Sequence, residues 1–177
     1  MVIGPAGAGK SRLARALSEA TGIDVIHLDA LYWKPGWVPT PPEEWEAFQR
    51  REVERDEWIV EGLHERTVHL WLDAADTVVL FDISPLVSIW GVTRRRLVRS
   101  EPGPDIPPYC EPAPFHRAAA KFVSYLWEYR RRTRAELFAE LDKPRPGRRV
   151  VVLRRERDVQ AFLDTVEAPA DAATPAA

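Results

Sequence analysis

The chain has 177 residues, of which 45% are apolar and 29% are charged, with a single cysteine. That length suits one domain with a sizeable core, and the composition is typical of a globular protein. No apolar run approaches about 18 residues and no secretory leader is recognisable, so we expect neither a membrane span nor a signal peptide. The lone Cys110 cannot form an internal disulfide, and no Cys/His spacing predicts a metal site. We therefore expect a cytoplasmic protein.

Charge is distributed unevenly along the chain, although the formal net charge is only −2. Residues 1–93 carry 8 basic and 15 acidic side chains, whereas residues 94–157 carry 17 basic and 8 acidic ones. The positive segment predicts an anionic partner. A phosphorylated small molecule and a nucleic acid both satisfy that prediction.

The first predicted elements are a strand, a glycine-rich loop and a helix. Val2 and Ile3 are β-branched, as a buried strand should be. The loop after them is a complete G-x-x-x-x-G-K-[ST] pattern, Gly4-Pro5-Ala6-Gly7-Ala8-Gly9-Lys10-Ser11. In such a loop the backbone N–H groups surround phosphates, the lysine reaches the β- and γ-phosphates, and the hydroxyl ligates Mg²⁺. The following helix, which we expect to end at Gly22, adds its N-terminal dipole.

The pattern predicts ATP and Mg²⁺ as ligands. We expect the loop residues to bind the nucleotide together with Arg12, the next residue along the chain. The strand before the loop has only about three residues, roughly 10 Å, where five or six are usual. We expect a true start a few codons upstream, the alternative being a sheet that tolerates a stub.

The later elements alternate between apolar runs and helical patterns. A second strand is predicted over Ile23–Leu28 and ends at Asp29, and a capping-box signature, Thr40-Pro41-Pro42-Glu43, opens a helix with a proline at its first position. The remaining predictions are strands over Glu57–Glu61, Thr77–Phe81 and Arg149–Leu153, a helix from Ser84-Pro85 through Leu97, a proline-rich loop over 101–114, a long helix from about Phe115 to Leu141, and a closing helix around Val159–Val166. This order predicts a five-stranded parallel sheet with helices on both faces.

Three acidic residues, Asp29, Glu61 and Asp82, are predicted at the carboxyl ends of strands, where parallel sheets bind their ligands. A phosphate-loop enzyme needs a carboxylate to hold the Mg²⁺ water shell. We assign Glu61 to that role as a Walker-B-like carboxylate and metal residue with Ser11, and Asp29 to orienting the acceptor or a Mg²⁺-bound water. Asp82 is interpreted as structural.

Four segments together resemble the bacterial DNA topology modulation proteins, which are adenylate-kinase-like P-loop proteins. They are Gly4–Ser11, the run His27–Trp37 (His-Leu-Asp-Ala-Leu-Tyr-Trp-Lys-Pro-Gly-Trp), Trp58–Gly62, and Ala75-Asp76-Thr77. The resemblance covers residues 1 to about 166 and implies a three-layer P-loop NTPase fold with nucleotide-kinase chemistry. The chain departs from the family pattern where Glu61-Gly62-Leu63-His64 replaces Asp-Gly-Asn-Tyr, so any substrate contact of that Asn and Tyr is missing.

The resemblance also implies a short lid over about residues 95–115, within one domain of residues 1–167. Lids of this type deliver arginines to the transferring phosphate. We assign that role to Arg95 and Arg99, which lie four residues apart on one helix face, and interpret Arg94 and Arg96 as solvated. Residues 168–177 are rich in alanine and proline and are predicted to be a disordered tail.

Two further features have open interpretations. Tyr32, Trp33 and Trp37, beside Lys34, could stack on an acceptor or could plug their loop into the core. The histidines show no metal spacing and are interpreted as structural, with His64 the one candidate for a functional role.

These observations favour a P-loop kinase in which Lys10 neutralises charge on the phosphoryl group moving to a nucleotide or another small acceptor. Two alternatives stay open. A nucleotide-dependent nucleic-acid-binding protein would use the arginine clusters at residues 94–99 and 130–134, and a regulatory ATP binder would have no turnover. We expect a monomer or a weak homodimer.

Overall fold

A five-stranded parallel sheet forms the centre of the computed structural model, which describes residues 1–98 and 124–167. Its strands are β1 (Val2–Ile3), β2 (Val25–His27), β5 (Ile59–Glu61), β6 (Thr77–Phe81) and β7 (Arg149–Leu153). Their spatial order is β2-β5-β1-β6-β7, and every pairing is parallel. A separate antiparallel hairpin is formed by β3 (Trp33–Lys34) and β4 (Val38–Pro39).

Helices connect the strands. They are α1 (Lys10–Thr21), α2 (Leu28–Tyr32), α3 (Pro42–Val53), α4 (Val68–Ala74), α5 (Pro85–Val98), α6 (Arg134–Leu141) and α7 (Glu156–Glu167). Residues 124–128 are also helical, and a π-helical turn, Tyr129–Thr133, joins them to α6. The crossovers between parallel strands are long enough to place helices on the two faces of the sheet.

Because side chains alternate in direction along each strand, the sheet has one hydrophobic core on each of its two faces. Val2 and Ile3 are both buried, but they belong to different clusters because successive side chains of a strand point to opposite faces. The Val2 cluster contains residues of α1 and α7, and the Ile3 cluster contains residues of α3, α4 and α6. The result is a three-layer α/β fold, which confirms the predicted fold class.

Several predicted boundaries agree closely with the structure. Strands β6 and β7 span the predicted residues, and α3 begins at Pro42. Helix α1 ends at Gly22, whose φ of 77° is left-handed and whose N–H donates to the Ser18 carbonyl oxygen at 2.8 Å. A glycine suits this C-cap because other residues are strained at such a φ.

Two local predictions were wrong. Strand β2 ends at His27, and Asp29 lies in the first turn of α2 instead of at the end of a strand. The capping box at Thr40 does not form, because the Thr40 hydroxyl donates to the Tyr32 carbonyl oxygen at 2.6 Å and Pro41 occupies the N-cap. Helices α2 and α4 and the β3–β4 hairpin were not predicted, since their segments are short and lack a clear period.

Most of the predicted lid, with Arg99 and the proline-rich loop, lies outside the described residues, as does the tail at 168–177. The side chain of Arg95 is likewise not described. Within residues 1–98 and 124–167, no helix combines the length and the apolar character needed to cross a membrane.

Candidate active site

The phosphate loop lies between the end of β1 and the start of α1. Gly4 has a φ of 143°, and a Cβ there would lie 2.7 Å from the Phe81 Cβ, so only glycine lets the chain leave β1 this close to β6. Gly9 is the left-handed N-cap of α1, and its carbonyl oxygen accepts from the N–H groups of Arg12 and Leu13, each at 3.1 Å. The first turn of α1 contains no acidic residue. The positive end of the helix dipole is therefore available to an anion.

Lys10 is buried within this loop, with 8% of its surface exposed. Its ammonium donates to the Pro5 carbonyl oxygen at 3.2 Å and lies 3.8 Å from Glu61 Oε1. A buried cation is stable only when it is paired, and here the loop and β5 supply the partners. The structure thus brings together two residues that the sequence predicted for one site.

Glu61 is the last residue of β5 and is only 2% exposed. Its Oε2 lies 2.8 Å from Nδ1 of His27, the residue beside it in the β2–β5 register. The sequence interpretation treated His27 as structural and missed this pair. Side chains in register on adjacent strands share a face, but the predicted second strand ran past His27 to Leu28, so the sequence did not indicate that His27 and Glu61 are paired strand ends.

A second histidine–carboxylate pair lies at the start of α2. His64 Nε2 is 3.6 Å from Asp29 Oδ1. The His64 ring packs against both Tyr32, with centroids 4.5 Å apart, and Trp45, at 5.0 Å. Gly62, whose φ of 130° suits glycine, turns the chain between Glu61 and this histidine. The structure thus associates His64 with Asp29, although only its proximity to Glu61 was evident from the sequence.

Electrostatics favour the ionised form of Asp29. Burial acts to raise the pKa of this carboxyl, but His64, Lys10 and His27 together outweigh burial and hold the pKa below its usual value. Asp29 is therefore a carboxylate at neutral pH, within the field of the phosphate-loop lysine.

The oxygen donors of this region fit a magnesium ion that is brought in with a nucleotide. Ser11 supplies a hydroxyl, and Glu61 and Asp29 supply carboxylates, which are hard ligands. The part of the chain that the structure describes contains no cluster of three His, Cys, Asp or Glu side chains that could hold a metal by itself. Mg²⁺ in proteins typically keeps several waters and binds through one or two carboxylates plus substrate phosphates. One hydroxyl and two carboxylates, from Ser11, Glu61 and Asp29, match this mode of Mg²⁺ binding.

Tyr125, in helical residues 124–128, lies beside the loop and was not predicted as a site residue. Although Tyr125 is 41% exposed, partial burial of its phenol and the charges of Asp29 and Glu65 raise its pKa, and a hydrogen bond from the Ala6 backbone acts against them. The phenol thus lies beside the loop at Ala6. The helical spacing of apolar residues did not indicate that Tyr125 lies beside the loop, because that spacing marks core residues such as Leu126 and Tyr129.

The structure gives less information about the arginines that the sequence predicted for the site. The Arg12 side chain is exposed and pairs with Glu156 of α7. Arg94 is exposed, whereas Arg95 and Arg99 fall where side chains are not described. Their assigned roles stay predictions.

The aromatic segment packs into the core at one end, as one of its two interpretations predicts, and its stacking on an acceptor stays a prediction. Tyr32 packs against the core cluster, and its ring lies 4.9 Å from that of Trp33. Trp33 in turn meets Trp37 edge to face at 5.6 Å, while Lys34 pairs with Glu44 at 2.7 Å. One end of the segment is therefore anchored in the core, and the hairpin end carries two half-buried indoles.

Asp82 has the structural role that was predicted for it. Its two carboxylate oxygens accept from Arg134 at 2.6 and 2.9 Å, and Oδ2 also accepts from Arg154 at 3.3 Å. The fork joins the end of β6 to the start of α6 and to the residue after β7. One arginine of the second cluster is therefore part of the fold.

Comparisons with known proteins agree with this architecture. A solved gluconokinase from Sinorhizobium meliloti 1021 matches with a TM-score of 0.50 and 19% identity, over 94% of this chain and 91% of that one. A sugar kinase from Janibacter sp. HTCC2649 matches at a TM-score of 0.44 and 15% identity, over 94% and 87%, which is too weak to support an argument. No family model matches the chain. No curated protein matches it either. The first likeness shows the fold alone, which this chain shares with that gluconokinase.

Proposed function

We propose that this chain is a P-loop kinase that transfers the γ-phosphoryl group of MgATP to a small acceptor. The observation that carries the proposal is the placement of Lys10, buried between the Pro5 carbonyl oxygen and Glu61 at the N-terminus of α1. A buried lysine, a helix N-terminus without acidic residues and a strand-end carboxylate form a site for a polyphosphate and its cation.

Each residue of the site has a role in the proposal. The loop N–H groups and Lys10 hold the β- and γ-phosphates, and Ser11 and Glu61 hold the metal, Glu61 through water. Bound Mg²⁺ supplies charge neutralisation of the transferring phosphoryl group. His27 fixes the orientation of Glu61 through its Nδ1 contact of 2.8 Å. Phosphoryl transfer depends mainly on such positioning and charge.

Asp29 belongs to the acceptor side in this proposal. It is ionised, and its carboxylate can accept a hydrogen bond from an acceptor hydroxyl or orient a water on the metal. Tyr32 and His64 form a packed wall beside it. The acceptor classes consistent with this surface are nucleotides, as the family resemblance implies, and sugars or sugar acids, since one similar structure is a gluconokinase.

A substrate panel tests the proposal directly. The purified protein is incubated with MgATP and single acceptors from the nucleotide, sugar and sugar-acid classes, and ADP release is compared with an acceptor-free sample. At least one acceptor is expected to raise ADP release well above that background. If no acceptor does so and MgATP still binds, the regulatory ATP binder is the better description.

The Lys10→Ala variant tests the mechanism. Removing the ammonium should lower turnover by about 10²–10³-fold while the fold stays intact, since such preorganised charges act mainly on the transition state. The matched control is Lys143→Ala, an exposed lysine paired with Glu140, which should retain full turnover. A folded Lys10→Ala protein with wild-type turnover would refute the kinase mechanism.

We also propose that Arg95 and Arg99 supply charge to the transferring phosphate, as the family resemblance implies. Arginines delivered in this way are worth about 10³–10⁵-fold in related transfers. Arg95→Ala and Arg99→Ala should therefore lower turnover far more than Arg94→Ala, whose side chain is exposed. Small, equal losses at all three positions would remove the arginines from the mechanism. Limited proteolysis adds a second readout, because cleavage within residues 101–114 should slow when MgATP and acceptor are both present.

A further inference from the structure

Helix α5 contacts the phosphate loop through backbone atoms. A Cβ placed on Gly91 would lie 2.3 Å from the Gly7 carbonyl oxygen and 3.2 Å from the Gly7 carbonyl carbon. In the reverse direction, a Cβ on Gly7 would lie 2.4 Å from the Ser88 carbonyl oxygen and 2.9 Å from Val92 Cγ2. No side chain separates the helix from the loop here.

Gly91 is unusual for its position. It lies inside α5 with an ordinary φ, where glycine is a poor helix former and alanine would be favoured. Its conformation therefore does not require glycine, and the close approach of Gly7 does. Gly7 itself has a φ of 80°, which already favours glycine. Gly7 therefore needs glycine both for its backbone conformation and for the close approach of α5, so the effect of the close approach is seen more clearly at Gly91.

The two sides of α5 differ in what they meet. Leu86, Val87 and Trp90 are exposed, whereas Ser88 is fully buried, and the Ser88 backbone lies against Gly7. Because packed backbone atoms resist compression, a shift of the Ser88–Val92 turn must displace Gly7. Gly7 lies in the middle of the loop whose N–H groups face the phosphates.

We infer that Gly91 is a positioning residue for phosphate binding, through which α5 sets the conformation of the loop at Gly7. This inference rests on the proposed function, since it concerns how the same loop receives the polyphosphate. In this proposal, Gly91 itself contacts no ligand. Its role is to leave the space in which Gly7 adopts the phosphate-binding conformation.

The test is the affinity of Gly91→Ala for MgATP and for adenosine, measured by calorimetry. Displacing the loop should weaken MgATP binding about tenfold or more, because preorganised contacts lose strength steeply with small misplacements. Adenosine, which has no phosphates for the loop, should bind within about twofold of its wild-type affinity. The matched control is Leu86→Ala, which is 78% exposed on the side of the same helix opposite Ser88 and should bind both ligands as the wild type does.

Two results separate the possible failures. If the wild-type protein does not bind MgATP, the proposed function fails. If it binds MgATP and Gly91→Ala binds it equally well, or loses MgATP and adenosine in the same proportion, the inference is overturned.

A measurement on the unmodified chain decides the case in which Gly91→Ala does not fold. Backbone amide NMR signals of Ser88–Val92 should shift when MgATP is added, in step with those of Gly7. Shifts at Gly7 without shifts in this turn of α5 would overturn the inference.

Discussion

Asp29 and Glu61 differ in how firmly they are held. Glu61 is almost fully buried and touches Lys10 and His27, whereas the side chain of Asp29 is 45% exposed and lies 3.6 Å from His64 Nε2. In the proposed mechanism, the more exposed carboxylate is the one that reaches the acceptor. The buried one acts on the loop and on the metal that the nucleotide would bring.

Neutral variants of these two carboxylates should therefore separate binding from turnover. Asp29→Asn and Glu61→Gln keep the side-chain size but remove charge, so both should lower kcat more than they weaken ATP binding. Steady-state kinetics and calorimetric titration with MgATP measure the two quantities. Unchanged activity per folded molecule, together with a loss of stability in both variants, would show that these acids are structural.

Asp82 provides a prediction about stability and pH. Asp82→Asn should lower the free energy of unfolding at pH 7 by about 1–3 kcal/mol, since charge-assisted hydrogen bonds to Arg134 are lost. The hydrogen bond from Arg134 holds the pKa of Asp82 below its usual value. The carboxylate thus stabilises the fold above its unfolded pKa of about 3.9, and that contribution is lost as the pH falls through the lower folded value.

Urea denaturation at several pH values checks this prediction. The difference between wild type and Asp82→Asn should be constant from pH 7 to about pH 5 and should shrink below about pH 4. A difference that persists undiminished at low pH would mean that the carboxylate charge is not the source of the stabilisation.

At the residue scale, the predicted placement of residues agrees with the structure where a motif meets a strand end, and contacts that come from other elements were missed. Lys10 and Glu61 were predicted together because one lies in the loop and the other ends an adjacent strand. The contacts of Tyr125 with the loop and of Gly91 with Gly7 depend on how two distant helices pack. Neither has a local sequence signal.

At the scale of elements, a buried polar network joins α3 and α4. Gln49 is fully buried, its amide nitrogen donates to the Thr67 hydroxyl at 2.8 Å, and its amide oxygen accepts from Trp71 Nε1 at 2.8 Å. Trp71 is itself fully buried within the core cluster. The network satisfies polar groups that burial would otherwise leave without partners.

Replacing Gln49 tests how much this network contributes. Gln49→Leu keeps a similar volume but leaves the Trp71 N–H without its acceptor, which should lower the free energy of unfolding by about 1–3 kcal/mol. The control is Glu46→Gln on the exposed side of α3, where loss of the surface pair with Arg50 should leave the free energy of unfolding almost unchanged. Equal losses in the two variants would contradict the proposed importance of the network.

Long elements with a clear hydrophobic period were predicted more accurately than short ones. The five-residue strands β6 and β7 and the twelve-residue helices α1 and α3 carry clear patterns, and each was predicted within a residue or two. Helix α2 has five residues and follows β2 directly, so its first residue, Leu28, was assigned to the strand. Thr40 was assigned to a cap because its competing acceptor, the Tyr32 carbonyl oxygen, is eight residues away.

At the scale of the whole molecule, part of the basic segment is already engaged by acidic residues within the fold. Arg134 is held by Asp82, and Arg132 pairs with Glu136 at 3.0 Å. Of the four arginines in the second cluster, Arg130 and Arg131 are exposed without such an acidic partner among the described residues. Half of this cluster is therefore already neutralised within the fold.

Salt dependence distinguishes the kinase from a nucleic-acid-binding protein. A protein that makes about 6–10 phosphate contacts loses roughly 10³–10⁵-fold in DNA affinity between 50 and 200 mM salt. We expect instead weak DNA binding throughout and a turnover of MgATP that changes only modestly over the same range. Tight, steeply salt-dependent DNA binding in the absence of acceptor turnover would reverse this order of preference.

The hydrogen bond between Lys10 and the Pro5 carbonyl oxygen has a consequence for ligand discrimination. Pro5 also accepts from the Ala8 N–H at 3.3 Å, so one peptide oxygen holds both the lysine and the bend of the loop. An incoming anion must compete with that oxygen for the ammonium. A lone orthophosphate offers few contacts in exchange, whereas a triphosphate would contact the loop along its length. We therefore expect the resting loop to bind inorganic phosphate much more weakly than a triphosphate.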